Sequence, residues 1–373
     1  MELYLAPLEG ITTYVYRTIL DKHYGGIDKY FTPFLTASHL KGRELRDVNP
    51  ENNVGLNLVP QILTNDSDLF LTITRQLVDL GYDEVNLNLG CPSGTVVSKG
   101  RGAGFLDRPD ELERFLYDIY NRISGYKRPG DRTDGIKISI KTRIGMEFES
   151  EWDDILEIYR KFPISELIIH PRLRSDFYAG EVRLDAYRRA AEVLGKKIKL
   201  CYNGDITDCD TFYKKMIGIG NETLTSNEKC TAVMLGRGVI MNPELPGNLK
   251  HNLTSTPTHE NTGTRKPAPN LDSDSPGSLA HMPGPDPEHP LNLAHMPGPD
   301  PDPDRIRLKA FLKELTEAYE EEMANERQVV MKMKEHWTYL SQGLHLDKKK
   351  LKAIHKATRL ADYKTAAQLA LQK

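Results

Sequence analysis

Eight short apolar or β-branched runs recur through the first 250 residues, most of them separated by segments with apolar residues at helical spacing. The runs are Leu3–Pro7, Lys29–Phe34, Leu56–Ile62, Glu84–Leu89, Lys137–Thr142, Glu166–His170, Ile198–Tyr202 and Thr231–Leu235. The helix-like segments include Asp66–Leu80, Asp110–Ile123, Glu151–Lys161 and Leu184–Leu194. Asp66 and Asp110 stand where a carboxylate favours a helix N-terminus. Eight strands alternating with helices over this length is the rhythm of a (β/α)8 TIM barrel, an α/β fold. The rival, a doubly wound open sheet, lacks the Gly-x-Gly-x-x-Gly turn it would carry after the first strand.

The pattern fails from Asn252 to Asp304, where twelve of the chain's 23 prolines fall. Leu-Ala-His-Met-Pro-Gly-Pro-Asp-Pro occurs there twice, at 279–287 and 293–301. Such a segment has too few apolar residues to build a core, so residues 251–304 are expected to be an extended, disordered linker. Its His-Met pairs, on repeats without a fold, read as spacer and not as a metal site. Helical spacing returns in two stripes: Leu308, Phe311, Leu312, Leu315 and Tyr319, then Val330, Met333, Trp337 and Leu340. Shorter helices are expected around Lys348–Thr358 and Tyr363–Leu371. The expected organisation is therefore a catalytic barrel over 1–250, the linker, and a small all-α bundle over 305–373. Residues 305–373 hold 15 Lys+Arg against 9 Asp+Glu, and residues 251–304 hold 2 against 8. A near-neutral body thus carries an acidic connector and a basic tail.

With 39% hydrophobic and 28% charged residues, and no apolar stretch of membrane-spanning length, the chain is expected to work away from membranes. Met1-Glu2-Leu3-Tyr4 leads straight into a strand, so no signal peptide is expected and the cytoplasm is the default location. The four cysteines, Cys91, Cys201, Cys209 and Cys230, show no metal-ligand spacing and read as reduced thiols. No metal is expected.

Barrel enzymes build their sites at the C-terminal ends of the strands. Here those ends deliver Ala6-Pro7-Leu8-Glu9-Gly10, Gln61, Asn88 and Cys91, Lys141 and Arg143, His170, Arg172 and Arg174, Asn203-Gly204-Asp205, and Gly236-Arg237-Gly238. Cys91 follows a buried-strand pattern and precedes a glycine-rich basic loop, Ser93–Gly104, expected to be a flexible cover. A thiol is mostly protonated at neutral pH, so Cys91 can act as an acid as well as a nucleophile. The glycine turns after the seventh and eighth strands read as a phosphate site, with Arg237 adding charge, or simply as turns. Lys141 and His170 at neighbouring strand ends are placed to flank a polar ring that gains charge on reduction.

Taken together, these motifs resemble those of the tRNA-dihydrouridine synthases. The resemblance rests on Ala6–Thr12 through Arg17, Asn88-Leu-Gly-Cys91-Pro92 with Gly102-Ala103, and Lys141-Thr-Arg143-Ile-Gly145. It continues through His170-Pro-Arg172, Asn203-Gly204-Asp205-Ile206 and Gly236-Arg237-Gly238, and covers the whole barrel in order. Thr13 and Leu8 depart from residues common in the family.

The resemblance implies FMN across the barrel mouth, with Pro7, Gln61, Lys141, His170, Asn203, Gly204, Gly236 and Arg237 at flavin-contact positions and Asp205 in the same turn. It implies that NADPH reduces the flavin, that hydride passes to C6 of a uracil in tRNA, and that Cys91 protonates C5. Asn88 would hold the base edge. Arg172 and Arg174, Lys99 and Arg101, and the cluster Lys348, Lys349, Lys350, Lys352, Lys356 and Arg359 would form a track for RNA phosphates. A monomer is expected. The competing readings are a flavin barrel that reduces a free pyrimidine or small enone, and a non-catalytic RNA-binding protein on the same scaffold.

Overall fold

Each strand of the sheet runs parallel to its neighbours, which requires a helical crossover between them and buries both faces. The computed structural model describes residues 1–123, 135–220, 230–255 and 302–372. Its strands are β1 (Glu2–Leu5), β2 (Lys29–Phe31), β3 (Leu58–Val59), β4 (Gln61–Ile62), β5 (Glu84–Leu89), β6 (Lys137–Arg143), β7 (Glu166–His170), β8 (Lys199–Tyr202) and β9 (Ala232–Leu235). They are ordered β3-β2-β1-β9-β8-β7-β6-β5-β4. The expected third run is thus two strands rather than one. Pro60 has no N–H to continue the ladder, so pairing with β2 ends at Val59 and pairing with β5 begins at Gln61. Because β3 and β4 are one stretch of chain, the ring closes covalently through Pro60, whose carbonyl still accepts from Asn86 N at 2.9 Å. This is a TIM barrel.

The barrel helices are α1 (Tyr14–His23), α2 (Gly42–Val48), α3 (Ser67–Asp79), α4 (Gly94–Val97), α5 (Pro109–Ile123), α6 (Glu151–Tyr159), α7 (Leu184–Leu194), α8 (Cys209–Gly218), α9 (Arg237–Met241) and α10 (Leu245–Ser255). Asp66 caps α3 by accepting from Leu69 N. The two-residue period of the strands sorts side chains between an outer and an inner core. Leu3, Leu5, Val85, Leu87, Ile140 and Leu167 pack outward with the helices. Tyr4, Ala6, Phe31, Val59, Ile168, Cys201, Ala232 and Met234 form a separate cluster inside the ring. At the N-terminal end of the barrel an ionic layer accompanies them: Lys29 bridges Glu84 and Glu166 at 3.1 and 3.0 Å, and Tyr4 donates to Glu166 at 2.7 Å.

Four more helices follow: α11 (Pro303–Glu322), α12 (Glu326–Gly343), α13 (Lys348–Lys356) and α14 (Leu360–Ala370). The expected boundary at residue 250 falls inside α10, and the linker reading concerns residues that lie, from 256 to 301, outside those described. Both predicted stripes are buried, and they share one continuous core with the barrel helices. Phe311 meets Tyr16 and Tyr24 edge-on at ring separations of 6.0 and 5.4 Å, so α11 packs on α1. His336 of α12 stacks on Tyr16 at 5.2 Å, and its Nε2 bonds Tyr319 Oη at 3.0 Å. Gly343 lets α12 close on the end of α9, since a Cβ there would lie 2.1 Å from Met241 O.

His336 gives this interface a pH dependence. Burial, helped by Lys332, pushes its imidazole down to about 3 from the usual 6.5. Above pH 6.5 the ring is neutral in both folded and unfolded chains and no penalty arises. As pH falls, the unfolded chain gains a proton the folded one refuses, which costs ~1.4 kcal/mol per pH unit down to about pH 3. Denaturation midpoints measured between pH 6.5 and 4.5 are expected to fall more steeply in the native protein than in His336→Phe.

Candidate active site

The strand period that builds the inner core also sets the site, because Gln61, Asn88, Lys141, His170 and Asn203 share the parity of the inward-facing residues. All but Gln61 line an open cleft at the C-terminal end of the barrel. Pro7, Asn88, Cys91, Lys141, His170, Asn203, Gly204, Asp205, Gly236 and Arg237 all line it. Ten of the thirteen expected site residues thus share one cleft. Glu9, Phe34, Arg143, Tyr178, Thr207 and Met234 line it as well, without having been given a role. A signal for Glu9 and Arg143 existed, since both stand at strand ends already singled out.

Gln61, Arg172 and Arg174 are not among the lining residues. Gln61 is fully buried, with Nε2 donating to Asn86 Oδ1 at 2.8 Å and Oε1 accepting from Asn88 Nδ2 at 2.7 Å. Asn86 in turn donates to Ser139 Oγ at 3.0 Å. This places Gln61 behind Asn88 as its support. Arg172 is a correction to its expected substrate role. Its five N–H groups meet Ala179 O, Gly180 O, His170 Nε2 and both oxygens of Asp205, so none is left for a ligand. Arg174 lies over the Phe177 ring at 4.9 Å and has no ion pair among the described residues.

Cys91 is held through its backbone. Asn88 Oδ1 accepts from Gly90 N and Cys91 N, both at 3.0 Å, and Arg143 Nε donates to Gly90 O at 3.0 Å. Arg143 continues to Leu173 O at 2.7 Å and to Phe177 O, tying the loop after β5 to the loop after β7. The segment Ser93–Gly104, expected to be a flexible cover, is folded instead. It contains α4 and most of the 3-10 turn Gly102–Phe105, and Ala103 N donates to Cys91 O at 3.0 Å. Its glycines serve close packing: a Cβ at Gly102 would lie 2.9 Å from Cys91 O, and φ there is +56°. Burial raises the Cys91 thiol against the opposing pull of the Ser93 N–H, Arg143 and Lys141. The thiol is therefore protonated at neutral pH, the state an acid requires.

Across the neighbouring strands the cleft is cationic. Burial, with Arg143 beside it, lowers Lys141 to about 8, and its ammonium has no hydrogen bond or ion pair among the described residues. His170 is held well below its ordinary range by burial and by Lys141, Arg143, Arg172 and Arg237. It is neutral, and because arginine only donates, Arg172 at 3.2 Å makes Nε2 the acceptor and leaves the proton on Nδ1. Burial would raise Asp205, but Arg172 and Arg237 keep it ionised below the usual carboxylate range. Lys141 and the Nδ1–H of His170 are thus two donors without protein acceptors, above an apolar patch of Ala6, Pro7 and Met234. With Arg237 at the rim, that set fits a planar, electron-rich ring with an anionic tail. Among the described residues there is no group of three or more metal-ligating side chains, and no helix is long and apolar enough to cross a membrane.

Asn88 is the testable centre of this arrangement. Asn88→Ala leaves two backbone N–H groups without their acceptor, at a cost of about 1–3 kcal/mol. Peptide-resolved iodoacetamide labelling should show Cys91 alkylated faster in the variant at equal pH, with Cys201 and Cys230 still protected by burial.

The comparisons agree with this geometry. A family model described as dihydrouridine synthase matches residues 4–271. Over 246 residues the chain is 26% identical to a protein of Staphylococcus epidermidis named "Probable tRNA-dihydrouridine synthase", covering 64% of this chain and 69% of that one. It is 27% identical to the protein of that name from Staphylococcus aureus, covering 64% and 68%. It is 25% identical to "Probable tRNA-dihydrouridine synthase 2" of Bacillus subtilis, covering 64% and 69%. With most of its length matched by the family model and its barrel end built as described, the chain belongs to the dihydrouridine synthase family.

Proposed function

We propose that the protein reduces the C5–C6 double bond of a uridine in tRNA, with Cys91 delivering the proton to C5. The observation that carries this reading is a thiol, clamped by Asn88 and Arg143, in the same cleft as Lys141, His170 and Arg237. Pro7, Lys141, His170, Asn203, Gly204, Gly236 and Arg237 would hold FMN, with Asp205 orienting Arg237 at 3.0 Å. FMN bound there and recharged by NADPH supplies the two-electron reduction at C6.

The chain's own part is acid catalysis and positioning. Reduction at C6 builds negative charge at C5 and the adjacent carbonyl, so a fixed proton donor speeds the step. Cys91 is fixed from three sides, through its N–H, its carbonyl and the Gly90 peptide. Asn88 keeps one amide hydrogen, after Gln61 and the turn are satisfied, to donate to a carbonyl of the base. A uracil within folded RNA must leave its stack to reach the cleft, and Arg174 on its aromatic shelf is available for the flanking backbone.

The test is incubation of an unmodified tRNA with the protein, FMN and NADPH, followed by nucleoside mass spectrometry. The expected result is a uridine that gains two hydrogens, slowed about 10²- to 10⁴-fold in Cys91→Ala. Because the thiol acts as an acid, the rate should fall as pH rises through its pKa, and that limb should vanish in the variant. No reduced uridine with flavin bound sinks the proposal.

A further inference from the structure

The imide edge of uracil presents a donor, N3–H, between two carbonyl acceptors. Donors are plentiful in the cleft: Lys141, Arg143, Arg237 and one N–H of Asn88. Carboxylate acceptors are scarce: among the described residues that line the cleft, only Asp205 and Glu9 carry one. Asn88 Oδ1 already takes the Gly90 and Cys91 N–H groups. Asp205 Oδ1 takes Arg172 and Arg237, and its Oδ2 takes Arg172. Asn203 directly follows β8, and its Nδ2 donates to Met234 O at 2.8 Å.

Glu9 is different. It lines the cleft from the loop after β1, and only one carboxylate oxygen is engaged, Oε1 accepting from Arg43 at 3.0 Å. Oε2 has no partner among the described residues. The loop is braced from within and by two helices. Leu8 N donates to Thr12 Oγ1 at 2.7 Å, Arg43 of α2 holds the carboxylate, and Lys332 of α12 donates to Gly10 O at 2.9 Å. Gly10 has φ +73°, a conformation that leaves its carbonyl to the bundle at no steric cost. Glu9 and Cys91 both line this cleft.

We propose that Glu9 reads the N3–H of the target base, making it the residue that separates uracil from cytosine in this cleft. The assignment rests on the uridine-reduction reading above. Cytosine presents a lone pair at N3, which a carboxylate repels, whereas uracil presents a proton that it accepts. A hydrogen bond to a charged group that discriminates in this way is a strong contributor to specificity.

The experiment compares wild type, Glu9→Ala and Glu9→Gln on unmodified tRNA and on the same tRNA carrying N3-methyluridine at the reduced position. Dihydrouridine formation is read by mass spectrometry and flavin affinity by fluorescence. Glu9→Ala should lower kcat/KM about 10- to 100-fold on unmodified tRNA with flavin affinity unchanged, and Glu9→Gln should fall between, since its amide oxygen still accepts. N3-methylation should slow the wild type at least about 10-fold and Glu9→Ala far less, because the partner is already gone. A Glu9→Ala enzyme within about twofold of wild type, an equal methylation penalty in both, or a loss of flavin affinity in the variant overturns the assignment. A wild-type protein that binds flavin and reduces no uridine overturns the uridine reading itself, a distinct outcome from an active enzyme indifferent to Glu9.

Discussion

The site depends on one row of hydrogen bonds across the barrel interior, running from Ser139 through Asn86 and Gln61 to Asn88, and ending on the peptide groups of Gly90 and Cys91. Each amide is buried with its partner, so removing a member leaves an unsatisfied group inside a low-dielectric core. The row crosses from β6 to β5 to β4, the place where the sheet closes. Closure of the barrel and placement of the thiol are therefore a single event: Pro60 switches the ladder from β2 to β5 and brings Gln61 beneath Asn88.

A second set of constraints comes from arginines that act as struts. Arg143 bonds three carbonyls in two loops, and Arg172 locks the loop after β7 to Asp205. Asp205 adopts φ +42°, an unusual conformation that an aspartate tolerates, and there it meets both Arg172 and Arg237. Arg172 is neutralised by this pairing, whereas Lys141 and Arg143 have no carboxylate partner among the described residues. The wall that faces a ligand thus keeps its charge, and the wall that supports it does not. Burial, with the same field, holds His170 neutral, so its ring serves as a donor of one proton and not as a fixed cation.

The helical bundle belongs to this construction as well. Tyr16, Phe311, His336 and Tyr319 form one aromatic cluster between α1 and the bundle, and Lys332 reaches the loop that carries Glu9. Glu322 accepts from Tyr14 and Arg46 at 2.5 and 2.7 Å on the same side. The bundle buries aromatic surface of the order of 1.5–3 kcal/mol per ring, which offsets the loss of freedom on docking. One of its contacts, Lys332 to Gly10 O, falls on the first βα loop, whose Glu9 lines the cleft.

Much of this was legible in the sequence because it obeys short-range rules. The apolar run Glu84–Leu89 marked a buried strand leading to Cys91, and period 3.6 in the tail placed Phe311 and Trp337 on buried stripes. Strand ends carrying Cys91, Lys141, His170 and Asn203 had to converge once the barrel closed. Residue type alone says nothing about which partner a polar group will find, and there the reading ran out. Arg172 and Gln61 looked like ligand contacts, yet one is saturated by Asp205 and two carbonyls and the other lies beneath Asn88. The glycines of Ser93–Gly104 suggested mobility, but Gly102 allows contact with Cys91. The sequence by itself determined the fold class and which strand ends carry the candidate site residues. Only the tertiary structure decided which side chains remain free for a ligand, because hydrogen-bond saturation is a property of neighbours brought together from distant strands.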